Sequence, residues 1–83
     1  MAHIVFFASI REKVGMEEME ITIVREMKLS QLISTLIQEG GQAWRPILTS
    51  ENVKIAINQE LVSGDVMVSN SDEVAFFPPV TGG

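Results

Sequence analysis

Apolar and polar residues alternate with a period of two along several stretches of the chain, and with a period near 3.6 along one. From His3 to Ile10 the residues are mostly β-branched, aromatic or small. Ile4, Phe6, Ala8 and Ile10 would share one face, and Val5, Phe7 and Ser9 the other, so the segment reads as a strand. The charged run REKVGM, with Gly15, interrupts it. EEMEITIV then sets Met19, Ile21 and Ile23 against Glu18, Glu20 and Thr22, the signature of a half-buried strand that would pair with the first as a hairpin.

Leu29, Leu32, Ile33, Leu36 and Ile37 fall at i, i+3, i+4, i+7 and i+8, which lines one side of an α-helix. Gly40 and Gly41 follow, suited to end it. A helix of this kind is about 18 Å long, enough to cover one face of a small sheet but not both. QAWRPILTS reads as an irregular connector whose Trp44, Ile47 and Leu48 tuck against the core, with Pro46 arguing against one long helix. VKIAIN alternates again, with Val53, Ile55 and Ile57 on one side, and Asn58-Gln59 makes a tight turn into ELV. Gly64-Asp65 and the NSD run at 70–72 punctuate the remainder before EVAFFPP, the last strand.

The order is strand, strand, helix, strand, short strand, strand. A parallel pair in such a chain needs a crossover, and the helix supplies it, joining the first hairpin to the third or fifth strand. The expected fold is α+β: a β-grasp, ubiquitin-like domain with a mixed sheet of about five strands and one main helix on one face. It occupies 1–83 as a single domain with an extended tail over about 80–83. If Ile4, Phe6, Val74 and Phe76 face the helix, then Val5, Phe7, Ala75 and Phe77 point to the opposite face. Left uncovered, that apolar face reads as a protein interface. The competing expectation is that the connector around Trp44 folds over it.

Composition narrows the chemistry. Six basic against eleven acidic side chains give a net charge of −5, which disfavours nucleic acid and anionic membrane surfaces as partners and suits a basic protein. The apolar N-terminal stretch is too short to span a bilayer and has no basic leader. The chain has no cysteine, so disulfides and thiolate metal sites are excluded, and the expected compartment is the cytoplasm. It also has no tyrosine and a single histidine, His3, which at the start of a strand reads as structural. No nucleophile and base pair is available for catalysis, and scattered carboxylates offer no metal cluster. Glu17, Glu18 and Glu20 read as a solvated strand face. Gly40-Gly41 follows a helix instead of opening one, so the glycines form no phosphate-cradling loop.

What remains is the end, PPVTGG. Pro78 and Pro79 cannot donate ladder hydrogen bonds and favour extended backbone, so the sheet should stop there and the tail should leave in a defined direction. Four residues reach at most about 14 Å, and glycines without Cβ atoms allow close approach to another protein's catalytic atoms. The one reactive group would be the α-carboxylate of Gly83. A carboxylate is a poor electrophile, so a partner using ATP would have to activate it, for example as an acyl-adenylate. The chain would then be a carrier, not an enzyme on its own.

DEVAFFPPVTGG at 72–83, AINQELV at 56–62, FFA at 6–8 and the RE-VG pattern within 11–15 resemble the MoaD-like sulfur carriers of the ubiquitin-like superfamily, the small subunits of molybdopterin synthase. The resemblance implies that Gly83 is adenylated by an activating enzyme and converted to a thiocarboxylate. No cofactor would be bound tightly. Thr81 and Gly82 would form the tail inserted into a large catalytic subunit, where sulfur passes to cyclic pyranopterin monophosphate in molybdenum cofactor biosynthesis. It further implies a heterotetramer of two small and two large subunits, and an apolar partner interface at Phe7, Leu61 and Phe77. Phe7 and Phe77 follow from strand alternation as well; Leu61 follows from the resemblance alone. The alternatives are a carrier for thiamin synthesis, transfer-RNA thiolation or protein conjugation, or a non-reactive β-grasp adaptor.

Overall fold

A computed structural model describes residues 1–79 of the chain. These form a mixed five-stranded sheet in the order β2-β1-β7-β4-β5, from β1 (Ala2–Phe6), β2 (Glu18–Ile21), β4 (Lys54–Ile57), β5 (Glu60–Leu61) and β7 (Glu73–Phe77). A separate two-stranded ladder pairs β3 (Met27–Lys28) with β6 (Met67–Val68). The main helix, α2 (Leu29–Gly40), lies on one side of the sheet, with α1 (Ala8–Val14), a 3₁₀ turn (Gln42–Trp44) and α3 (Arg45–Leu48) around it. This is the expected β-grasp architecture.

The sheet is held by a parallel pairing of β1 with β7, with Ile4 beside Val74 and Phe6 beside Phe76. All four side chains are fully buried, and the Phe6 and Phe76 rings stack with centroids 5.7 Å apart. Leu32, Leu36 and Ile37 of α2 close over them, as the helical spacing requires. Fully burying each such side chain contributes on the order of 1.5–3 kcal/mol. A one-residue register slip in either strand would turn two of these residues out at once, so the pairing is strongly specified.

Three expectations are corrected. The first strand stops at Phe6 instead of running to Ile10: Ala8 takes φ +50° and turns the chain into α1. That helix buries Ile10 and Val14, one helical turn apart, and ends on Gly15 at φ +76°. The first two strands do pair antiparallel, but across a helix instead of a hairpin turn. The connector is also partly helical, with Pro46 in the first turn of α3, where a missing N–H is tolerated. Trp44 packs edge-on against Phe6, with centroids 5.4 Å apart, so it joins the core on the helix side and leaves the other face of the sheet uncovered. Gly40 makes room for it: a Cβ there would lie 2.2 Å from the indole ring.

Side chains from distant segments fix the ends of the elements. Asp65 accepts hydrogen bonds from Ser30 N–H and Ser30 Oγ, both at 2.7 Å, and so satisfies exposed donors in the first turn of α2. Asn58 and Gln59, at φ +52° and +69°, form the tight turn between β4 and β5. Asn58 Oδ1 accepts from Glu73 N–H at 3.0 Å, and its Nδ2 donates to Asp72 Oδ1 at 2.9 Å. Asp72 Oδ2 also accepts from Ser69 N–H at 2.8 Å.

The Ser69 backbone N–H, and then the Asn58 amide, hold the Asp72 carboxyl below its ordinary value of 3.8. A depressed carboxyl stabilises the fold above its unfolded value, and that stabilisation is lost as pH falls through the folded one. Stability should therefore decline as pH drops below about 4. Asp72→Ala should be less stable at neutral pH by roughly 1 kcal/mol, a value discounted for exposure, with a shallower acid limb. Urea titrations across the acid range check both; Asp65, lowered for the same kind of reason by Ser30, keeps the limb from vanishing.

Candidate functional site

β7 is the central strand of the sheet, with β1 on one side and β4 on the other. Its last ladder partners are Phe76 with Phe6 and Ile55, and Phe77 with Lys54. Pro78 and Pro79 follow, and neither has an N–H to continue either ladder. The strand that leads into Pro78 and Pro79 is thus hydrogen-bonded along both of its edges. Pro78 and Pro79 border an open cleft of about 440 Å³, whose walls include Ile10 and Lys13 of α1 and Ile47 of α3. Thr81, Gly82 and Gly83 lie outside the described residues.

The register also defines the uncovered face, because residues directly opposite one another share a side of the sheet. Nearest the prolines is a row containing Phe77 and Lys54. Next comes Glu18, Val5, Ala75, Ala56 and Leu61, and farthest away Glu20, His3 and Glu73. Phe7 extends the first row. Its backbone is still extended, at φ −112° and ψ 152°, and its N–H donates to Phe76 O at 3.0 Å, so its ring points away from that of Phe6. Phe7 is 43% exposed and Leu61 67%, and Phe77 is half-buried. The three residues expected at an interface thus stand on one face, Phe7 and Phe77 in the row next to Pro78 and Leu61 one row back on edge strand β5.

Leu61 was accessible to sequence reasoning, although the strand pattern alone missed it. A two-residue turn at Asn58-Gln59 forces Ile57 opposite Glu60 and Ala56 opposite Leu61. Since Ile57 faces the helix, Leu61 must face the other way.

His3 occupies the far row as a structural residue. Its Nε2 donates to Glu18 Oε1 at 2.8 Å, and its Nδ1 lies 3.9 Å from Glu73 Oε2, so one ring spans β2, β1 and β7. Among the described residues, no three histidine, cysteine or carboxylate side chains gather as a metal site, and no helix is long and apolar enough to cross a membrane.

Residues 4–83 match the model of the ThiS family. A protein of Escherichia coli (strain K12) named molybdopterin synthase sulfur carrier subunit is 36% identical over 83 residues, covering 100% of both chains. Among solved structures, SAMP1 from Haloferax volcanii superposes with a TM-score of 0.80 at 19% identity, over 99% of this chain and 98% of that one. The complex of subunits 1 and 2 of molybdopterin-converting factor from Helicobacter pylori 26695 contains a chain matching with a TM-score of 0.66 at 24% identity, over 99% of this chain and 97% of that one.

The two faces of the sheet should respond oppositely to truncation. Phe6→Ala or Phe76→Ala should lower stability by about 3–5 kcal/mol, much of the total for a small domain. Phe7→Ser and Leu61→Ser should change it by no more than about 1 kcal/mol. Chemical denaturation of the four variants measures the contrast.

Proposed function

The chain belongs to the ThiS family, and we infer that it is the sulfur carrier subunit of a molybdopterin synthase. The observation that carries this reading is 36% identity, extending over the whole chain, to a protein named as a sulfur carrier subunit of that enzyme, in a sequence whose last strand runs into FFPPVTGG. The likeness to SAMP1 bears on the fold; the sequence relative bears on the task.

On this reading residues 1–83 work as one domain that presents the tail, about 80–83, to other proteins. Gly83 is the working residue. An activating enzyme transfers AMP from ATP to its carboxylate and releases pyrophosphate. A sulfur donor then displaces AMP to leave a thiocarboxylate. Thr81 and Gly82 lead this group into the large subunit, where sulfur passes to cyclic pyranopterin monophosphate and the carrier returns to a carboxylate. The carrier supplies no acid, base or metal to these steps. It supplies a stiff exit through Pro78 and Pro79, and a docking face of Phe7, Leu61 and Phe77 that sets where the tail goes.

Subunits 1 and 2 of molybdopterin-converting factor from Helicobacter pylori form a complex, which supports a large catalytic subunit as the partner here. We place this chain in a heterotetramer of two small and two large subunits acting in the cytoplasm. Neither nucleic acid nor membrane is a partner.

Incubation with the activating enzyme, ATP and a sulfur source should replace one oxygen of the chain by sulfur, read by intact-mass analysis with the change confined to the C-terminal fragment. An unchanged mass under conditions that load the Escherichia coli relative would contradict the reading. Light scattering on the purified pair should give the mass of two small and two large subunits, and a strict one-to-one complex would refute the tetramer.

A further inference from the structure

Phe7 is exposed, yet both peptide groups that flank it are tied down. The group joining Phe6 to Phe7 donates its N–H to Phe76 O at 3.0 Å and accepts, at Phe6 O, from Arg11 Nε at 3.2 Å. The group joining Phe7 to Ala8 accepts, at Phe7 O, from the N–H of Ile10 at 3.0 Å and from that of Arg11 at 3.3 Å. Ala8 then takes φ +50°, a left-handed conformation that is costly for a residue with a Cβ and persists only where the surroundings hold it. Three of these hydrogen bonds belong to strand pairing and to the first turn of α1; the fourth depends on one side chain. Helical side chains tilt toward the helix N-terminus, so Arg11 reaches back from α1 to the end of β1. Arg11 is itself exposed, and α1 already buries Ile10 and Val14, so the guanidinium is not needed to seat that helix on the core.

We propose that Arg11 is a positioning residue for docking: through the Phe6 carbonyl it holds the Phe6–Phe7 peptide group, and with it the direction of the Phe7 ring, before the large subunit arrives. The proposal rests on the carrier reading above and deepens it by naming what sets one of its anchors. An aromatic side chain whose backbone is already fixed loses less freedom on binding than one that must be ordered at that moment. Phe77 needs no such device, because it lies within β7 and pairs with Lys54 of β4. Phe7 lies one residue past the end of β1. Arg11 supplies there a hydrogen bond that strand pairing supplies elsewhere.

The test is the dissociation rate of the full chain from the large subunit for three substitutions. Arg11→Met removes the donor and keeps a long side chain. Arg11→Gln removes the charge but keeps an N–H donor attached, like Arg Nε, to Cδ. Phe7→Ala removes the anchor itself. Arg11→Met should dissociate about fivefold faster, and Arg11→Gln should stay within about twofold of the unaltered chain. In the Phe7→Ala background, Arg11→Met should add less than about twofold, because the ring it acts through is gone. In the free chain, hydrogen exchange at the Phe7 N–H should be about fivefold faster in Arg11→Met and unchanged in Arg11→Gln, with exchange at Ile4 unchanged in both. An equal loss from Arg11→Met in both backgrounds, or Arg11→Gln as weak as Arg11→Met, would mean that the guanidinium meets the partner directly, and would overturn the proposal. So would unchanged dissociation or exchange in Arg11→Met, or an Arg11→Met chain that does not fold, since the bond would then serve the whole sheet and not the anchor. Affinity that Phe7→Ala leaves unchanged would refute the docking face of the carrier reading, and a large subunit that does not bind the unaltered chain would overturn that reading; either removes this proposal with it.

Discussion

The parallel pairing of β1 with β7 organises this molecule. It joins the two ends of the chain at the centre of the sheet, and it seats Ile4, Phe6, Val74 and Phe76 together on the side that α2, Trp44 and Leu48 cover. Because strand side chains alternate, the same pairing obliges Val5, Phe7, Ala75 and Phe77 to look the other way. One helix cannot cover both faces. The uncovered surface is therefore a geometric consequence of how the core is built.

The same pairing determines where the C-terminal segment starts. β7 is bracketed on both sides, by β1 and by β4, so it is tied down more firmly than either edge strand. Pro78 and Pro79 end both ladders at once. A segment launched there has a fixed origin relative to Phe7 and Phe77, which stand at the same end of the sheet. On the proposed carrier reading, docking of the open face and delivery of the tail would be one geometric event. Under that reading the chain would contribute to the reaction by positioning its end in another protein's site.

Much of this was legible in the sequence. The period-two runs in β1, β2, β4 and β7 and the 3.6-residue period of Leu29 to Ile37 identify the main layers, and alternation alone puts Phe7 and Phe77 on the open face. What escaped has physical causes. α1 escapes the pattern, Ala8 to Ile10 reading as the end of a strand and Arg11 to Val14 as a charged break, because a seven-residue helix offers only one apolar repeat, Ile10 to Val14, and its start depends on an alanine at positive φ that no pattern announces. β3 and β6 are two residues each, too short for any period. The direction taken by Trp44 depended on the close approach allowed by Gly40, a tertiary fact. Leu61 could have been placed by drawing the Asn58-Gln59 turn in full register. The roles expected of Thr81, Gly82 and Gly83 fall outside the described residues.

The central claim is that the fold serves to dock and aim a terminal carboxylate. It is tested most directly by removing Gly83 alone and measuring, on one preparation, both affinity for the large subunit and synthesis of molybdopterin from cyclic pyranopterin monophosphate. The account predicts an affinity within about tenfold of the intact chain, since the anchors on the open face carry most of the binding, together with no detectable sulfur transfer. Sulfur transfer that survives the loss of Gly83 would contradict it.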